Sequence, residues 1–142
     1  MNNTAFFDTN ILVYLFDRRE DHKRAIAAEV WGRCAIEKRG VLSTQVLQEF
    51  FVTITQKAAQ LTGPEAQAVI IEFLQLEVVT VTPLLILEAI DVRERYRLSF
   101  WDGLILAAAK SAGASLVYSE DFAHGQVYDG VRVENPFLAA AG

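Results

Sequence analysis

The sequence predicts an α/β domain, a three-layer α/β/α sandwich around a short, mainly parallel central sheet. Two observations carry this. Short segments rich in β-branched or aromatic residues recur along the chain, and several are continuously apolar, the pattern of strands covered on both faces. Between them lie segments with helical periodicity, so strand and helix alternate throughout. No internal repeat, low-complexity tract or Pro/Gly-rich linker divides the sequence. At 142 residues the chain is expected to form one domain, residues 1–142.

Taken in order, the strands are expected at Thr4–Asp8, Val41–Ser43, Glu77–Val81, Ser115–Tyr118 and Gly130–Val133. Ala27, Val30, Trp31 and Cys34 share one face of a helix, with Gly40 at about its C′ position. Leu47, Phe50, Phe51, Ile54 and Ala58 form the apolar stripe of the next. Thr62-Gly63-Pro64 and Thr82-Pro83 each place a proline suited to the first position of a helix. Gly113 closes the helix that begins near Asp102. In such open sheets ligands bind beyond the carboxyl ends of the strands, and Asp8 and Asp121 fall at that edge.

The overall balance narrows the function classes. With 13 basic and 18 acidic residues the net charge is −5. A general nucleic-acid coating protein is usually basic, so a nucleic-acid partner must be met by a local patch or through metal ions. A single cysteine excludes an internal disulfide framework and fits a reducing compartment. The N-terminus has no basic segment leading into an uninterrupted apolar stretch, and no other stretch is long enough to span a bilayer. A cytoplasmic protein is expected.

Four carboxylates stand beside apolar segments, where charge is costly unless something positive meets it. Asp8 interrupts the run Ala5 to Val13, in the polar triplet Asp8-Thr9-Asn10. A helix N-cap alone accounts for one such residue, whereas a metal or phosphate site at a strand end uses all three. Asp102 opens a helix with no polar residue before Lys110, so its carboxylate faces inward. Ser99-Phe100-Trp101-Asp102 also fits a capping box. Glu49, with Gln45 and Gln56, falls opposite the apolar stripe of its helix and reads in isolation as a surface residue. Its place one turn after the Val41–Ser43 strand nevertheless puts it within reach of the sheet edge. At Ser119-Glu120-Asp121 the strand ends, and alternation does not decide which acid faces the edge. If the fold gathers these acids, the natural counter-charge is a hard divalent cation.

The four segments Phe6-Phe7-Asp8-Thr9-Asn10, Ser43-Thr44-Gln45-Val46-Leu47-Gln48-Glu49, Leu98-Ser99-Phe100-Trp101-Asp102 and Leu116-Val117-Tyr118-Ser119-Glu120-Asp121-Phe122 come in the order found in the PIN domain. The chain resembles that family of small metal-dependent ribonucleases over nearly its whole length, and within it the VapC toxins of bacterial toxin–antitoxin pairs. Ser119, where Thr is common, is a mild departure. The resemblance implies a PIN-like fold, with catalytic and metal-holding acids at Asp8, Glu49, Asp102 and Asp121. It implies Asn10 and Ser119 as supporting polar groups, and favours Asp121 over Glu120. It further implies an endoribonuclease using Mg²⁺ or Mn²⁺ that leaves a 5′-phosphate and a 3′-hydroxyl. An antitoxin partner and a homodimer follow from the same resemblance.

The remaining residues agree with this expectation. The two histidines, His22 and His124, stand in polar segments, unlike the paired histidines of metal-free ribonucleases, and Cys34 reads as a small core residue. Arg93 and Arg97, with Arg95 nearby, and the group Arg18, Arg19, Lys23 and Arg24 are candidate phosphate contacts, with solvated helix faces as the default reading. No basic stretch interleaved with aromatics marks a base-reading surface.

Other functions fit these residues less well. A receiver-like phosphoacceptor needs a lysine at the end of a late strand, which Ser115–Asp121 lacks. A non-catalytic protein-binding module does not need all four acids. A housekeeping RNA-processing nuclease differs from a toxin in role rather than chemistry.

Overall fold

The computed structural model describes residues 4–141. Ala5, Phe6 and Phe7 form β1 (Ala5–Phe7), and all three are wholly buried. β1 is flanked by β2 (Gly40–Ser43) and β4 (Leu116–Tyr118), both parallel to it. β3 (Glu77–Val79) extends the sheet beyond β2, and β6 (Val131–Glu134) extends it beyond β4, again in parallel. A two-residue strand, β5 (Val127–Tyr128), pairs antiparallel with β6 and completes the order β3-β2-β1-β4-β6-β5. Successive strands therefore step one way from β1 to β3, and β4 returns to the other side of β1. That reversal creates a crevice at the carboxyl ends of β1 and β4, where open α/β sheets bind ligands.

The helices are α1 (Thr9–Tyr14), α2 (Asp21–Ile36), α3 (Thr44–Val52), α4 (Gly63–Phe73), α5 (Pro83–Tyr96), α6 (Phe100–Ser111) and α7 (Pro136–Ala141). The sandwich and its parallel sheet are as expected, with helices flanking the strands. Edge-to-face aromatic contacts tie β1 to α2, α3 and α4. Phe7 meets Trp31 at 5.0 Å, Trp31 meets Phe73 at 5.2 Å, and Phe73 meets Phe50 at 5.3 Å. Cys34 is buried in the same core. Elsewhere α6 packs against β2, β4 and β6, with α5 laid over it. The α5–α6 seam closes backbone to backbone at Gly103, where a Cβ would sit 2.6 Å from the Ala89 carbonyl oxygen.

Several local expectations are corrected. Gly40 does not end α2; it begins β2, opposite Ala5, and Lys38 takes the left-handed conformation with φ 54° instead. Phe51 is not in the buried stripe of α3 but 37% exposed. A π-helical turn over Thr53–Lys57 follows α3 and alters the phase of the stripe, keeping Ile54 and Ala58 buried. Pro64 occupies the second position of α4, because Gly63 already belongs to the helix. Pro83 opens α5 behind the Thr82 cap, and Gly113 follows α6 with φ 73°, both as expected. The third strand stops at Val79 rather than Val81, and the last runs Val131–Glu134 rather than Gly130–Val133. β5 was unforeseen. Asp129 and Gly130, both at positive φ, form a two-residue hairpin turn before β6, and an Asp-Gly pair is the usual sequence signal for one. Residues 1–3 and 142 of the expected domain lie outside the described residues. Among the described residues no helix is long and apolar enough to cross a membrane.

Candidate active site

A cleft of about 740 Å³ opens at the carboxyl ends of β1 and β4, and Asp8, Glu49, Asp102 and Asp121 all line it. Each arrives by a different route. Asp8 follows the last residue of β1, and its N–H bonds the Tyr118 carbonyl at the end of β4, 3.0 Å away. The side chain caps α1 by accepting from Thr9 N–H at 2.7 Å. It is only 6% exposed, and its second oxygen accepts from the Ser119 hydroxyl at 2.7 Å. The helix cap and the lining of the cleft thus fall on the same carboxylate.

Asp121 reaches the cleft because the chain turns after β4. The Ser119 hydroxyl oxygen accepts from Asp121 N–H at 3.1 Å, and the Asn10 side-chain amide donates to the Asp121 carboxylate at 3.0 Å. Glu120 turns away to Tyr14 and Lys23, accepting from Lys23 Nζ at 2.9 Å and from the Tyr14 hydroxyl. Glu49 is held from α1, since the Thr9 hydroxyl donates to it at 2.7 Å across 40 residues of chain. Its surface reading does not hold; the residue is half-buried and shares its face with a buried Gln45. Asp102 lies in the first turn of α6, where its N–H donates to the Ser99 hydroxyl oxygen at 3.1 Å, the Ser99 half of the expected capping box.

The electrostatics follow from this crowding. Burial pushes the Asp8 carboxyl up to about 7. The Ser119 and Thr9 donors pull it down, while the charges of Asp121 and Glu49 add to the rise. Asp102 is also raised, first by burial and then by Asp121 and Glu49, against the Ser99 hydrogen bond. A cleft that disfavours its own carboxylates in this way suits a cation. The donors are all oxygen, the choice of Mg²⁺ and Mn²⁺ rather than a thiolate-seeking metal. Asn10 Oδ1 is buried with no hydrogen-bond partner, a further oxygen in want of a donor or cation. Among the described residues no three acidic, histidine or cysteine side chains are grouped closely enough to hold a metal ion. The acids border an open cleft instead.

Of the other expected residues, Asn10 and Ser119 sit in the site, bonding the acids as described. Arg93 and Arg97 do not line the cleft. Arg93 pairs with Glu94, and Arg97 caps α5 in the left-handed conformation. His22 and His124 are exposed and also outside it. Sequence reasoning missed Gln45, Lys57 and Trp101, which do line it. Gln45 had a signal, its position one helical turn before Glu49, but Lys57 had none, because the π turn is not legible in its residues.

A sequence model of the PIN domain matches residues 5–129. The chain belongs to the PIN domain family. No curated protein sequence matches it significantly. Solved structures show the same fold at low identity. The Mycobacterium tuberculosis toxin VapC20, described as cleaving the sarcin–ricin loop, superimposes with a TM-score of 0.67 at 21% identity, over 83% of this chain and 90% of that one. A toxin–antitoxin complex from Klebsiella pneumoniae gives 0.66 at 20% identity, over 94% and 98%. DNA-bound VapBC from Salmonella typhimurium gives 0.66 at 18%, also over 94% and 98%. In this PIN domain the family's fold brings together acids that lie as much as 113 residues apart, from Asp8 to Asp121.

Proposed function

We propose that this PIN domain is a metal-dependent endoribonuclease that hydrolyses RNA phosphodiester bonds and serves as the toxin of a toxin–antitoxin pair. The observation that carries the activity is the meeting of Asp8, Glu49, Asp102 and Asp121 in one cleft at the sheet's switch point. Asp8, Asp102 and Asp121, with Glu49, would hold Mg²⁺ or Mn²⁺, and the free Asn10 oxygen adds a neutral donor. When bound, such an ion lowers the pKa of water and stabilises charge on the attacking and leaving oxygens.

This chain's own residues do the rest. Ser119 and Thr9 N–H fix both oxygens of Asp8, and Asn10 orients Asp121. Glu49, fixed through one oxygen by Thr9, leaves the other to accept a proton from the attacking water. Water rather than the ribose hydroxyl attacks, so the products carry a 5′-phosphate and a 3′-hydroxyl. The toxin role is supported by structural neighbours that are themselves toxins or toxin–antitoxin complexes. The expected partners are a cognate antitoxin and a second copy of the chain.

The test is cleavage of RNA with Mg²⁺, with EDTA, and by folded Asp8→Asn and Asp102→Asn variants. Activity is expected only in the wild type with metal, falling at least about a hundredfold in either variant. Cleavage that survives chelation and both substitutions would sink the metal-nuclease reading.

A further inference from the structure

Two neighbouring acids beyond the end of β4 point opposite ways, Asp121 into the cleft and Glu120 away from it. We propose that Glu120, gripped by Tyr14 and Lys23, is a positioning residue for the metal site: with its own side chain held outside the cleft, it aims Asp121 inward. This role rests on the metal-nuclease reading and adds what sets the direction of one of its ligands.

The chain needs such a device at this point. Between Tyr118 and Val127 no strand or helix forms, so no ladder fixes side-chain directions there. Ser119 is fully buried, with its N–H on the Glu134 carbonyl at 3.0 Å. Phe122 is buried too, its ring 5.9 Å from that of Tyr128. Glu120 and Asp121 are the two residues between these fixed points. Asp121 is exposed, and the neutral Asn10 amide that bonds its carboxylate directs it weakly by itself. Asn10 and Tyr14 stand one turn apart on α1 and take the two acids in turn, Asn10 bonding Asp121 and Tyr14 bonding Glu120. One helical face thus sets both.

Lys23 makes the grip firm. Its ammonium donates to Glu120 at 2.9 Å and to the Tyr14 hydroxyl at 3.2 Å. It also lies 4.9 Å from the centre of the Tyr14 ring and 5.4 Å from that of Phe137, and these rings meet edge-to-face at 5.1 Å. An isolated surface ion pair contributes little, because two flexible side chains have to be ordered to make it. Here two oxygens and two rings fix the ammonium, and the side chains are only 33% and 23% exposed. Lys23 stands in the first turn of α2, where the helix dipole opposes a cation, a cost that its contacts outside the helix offset. Neither Lys23 nor Glu120 lines the cleft, so apart from their through-space charge they act on a bound ion by way of Asp121.

The experiment is calorimetric titration of the folded full chain with Mn²⁺ alone, because positioning and simple charge predict opposite signs. Removing a cation near four acids should tighten Mn²⁺ binding if Lys23 acts only through its charge. If it holds Glu120, Lys23→Met should instead weaken binding by about tenfold, as for other residues that orient a metal ligand. Tyr14→Phe changes no charge and should weaken binding in the same direction, and it decides the matter if Lys23→Met does not fold. Glu120→Ala should cost about tenfold in the wild type but less than about twofold on an Asp121→Asn background, because its effect passes through Asp121. Unchanged or tighter binding in Lys23→Met or Tyr14→Phe overturns the positioning role and leaves the metal reading standing. So does a Glu120→Ala loss as large on the Asp121→Asn background as in the wild type. If the variants weaken Mn²⁺ binding while the wild type cleaves no RNA, the positioning role stands and the nuclease reading falls. A wild type that binds no Mn²⁺ ends both.

Discussion

Asp8 and Asp102 face the same cleft but are held in opposite ways. Asp8 grows out of the central strand, is nearly inaccessible, and has both oxygens engaged. Asp102 rides on the first turn of a helix, is half-buried, and is anchored through its backbone by Ser99. The sheet therefore supplies a rigid, desolvated pole and the α5–α6 pair a wetter one. The difference teaches that the electrostatic cost of the site is concentrated at the sheet, where relaxation is least available.

The largest expected effect tests that concentration. With its carboxyl raised from 3.8 to about 7, Asp8 binds a proton in the folded state between those values while the unfolded chain has released it. Stability therefore falls as pH rises through this window, by about 4 kcal/mol once pH exceeds the folded value. Thermal melts in EDTA should show a lower Tm at pH 8 than at pH 5, and Mg²⁺ should recover it by binding the folded state. Asp8→Asn should flatten the pH dependence. A variant as pH-sensitive as the wild type would move the cost elsewhere.

Next in size is the hydroxyl behind Asp8. Ser119→Ala removes its donor and the acceptor for Asp121 N–H, and should lower Mg²⁺ or Mn²⁺ affinity by about 10- to 100-fold in calorimetric titration. Ser99→Ala is the counterpart at the other pole. It should cost about 1 kcal/mol of stability by denaturant titration, as a lost helix cap, and leave metal affinity nearly unchanged. If Ser99→Ala lowers affinity as much as Ser119→Ala, the two poles are not held differently. The smallest effect is expected from Arg93→Ala with Arg97→Ala. Neither residue borders the cleft, so RNA binding and its salt dependence should change little in anisotropy titrations across salt concentrations.

The two poles also differ in how far they could be read from residues alone. Asp8-Thr9-Asn10 between two apolar runs announced a strand end with more polar groups than a cap needs, and the fold uses all three. Asp102 was legible because the helix behind it is apolar all round. Glu49 was not, because a helical wheel registers the face of a helix but not the neighbour across from it, and the Thr9 hydroxyl comes from 40 residues away. Glu120 and Asp121 lay past the end of β4, where strand alternation no longer applies. What turns Glu120 aside is a long-range contact with Tyr14 and Lys23. Lys57 was missed because the helical phase changes at Thr53–Lys57, which residue types do not advertise. Phe51, still within the regular turns of α3, was misplaced because it lies at the exposed edge of the stripe that Leu47 and Phe50 bury. Gly40 was read as a terminator, yet it sits where a Cβ would press within 3.3 Å of Leu76.

Gly103 has a mechanical consequence. At the seam it forms, the two helices meet with no side chain between them to act as a cushion. A push on α5 is passed to α6 without being absorbed, and Asp102 lies next to the contact. The spacing between the acid on the strand and the acid on the helix therefore depends on how the α5–α6 pair is seated over the sheet, and not on α6 alone.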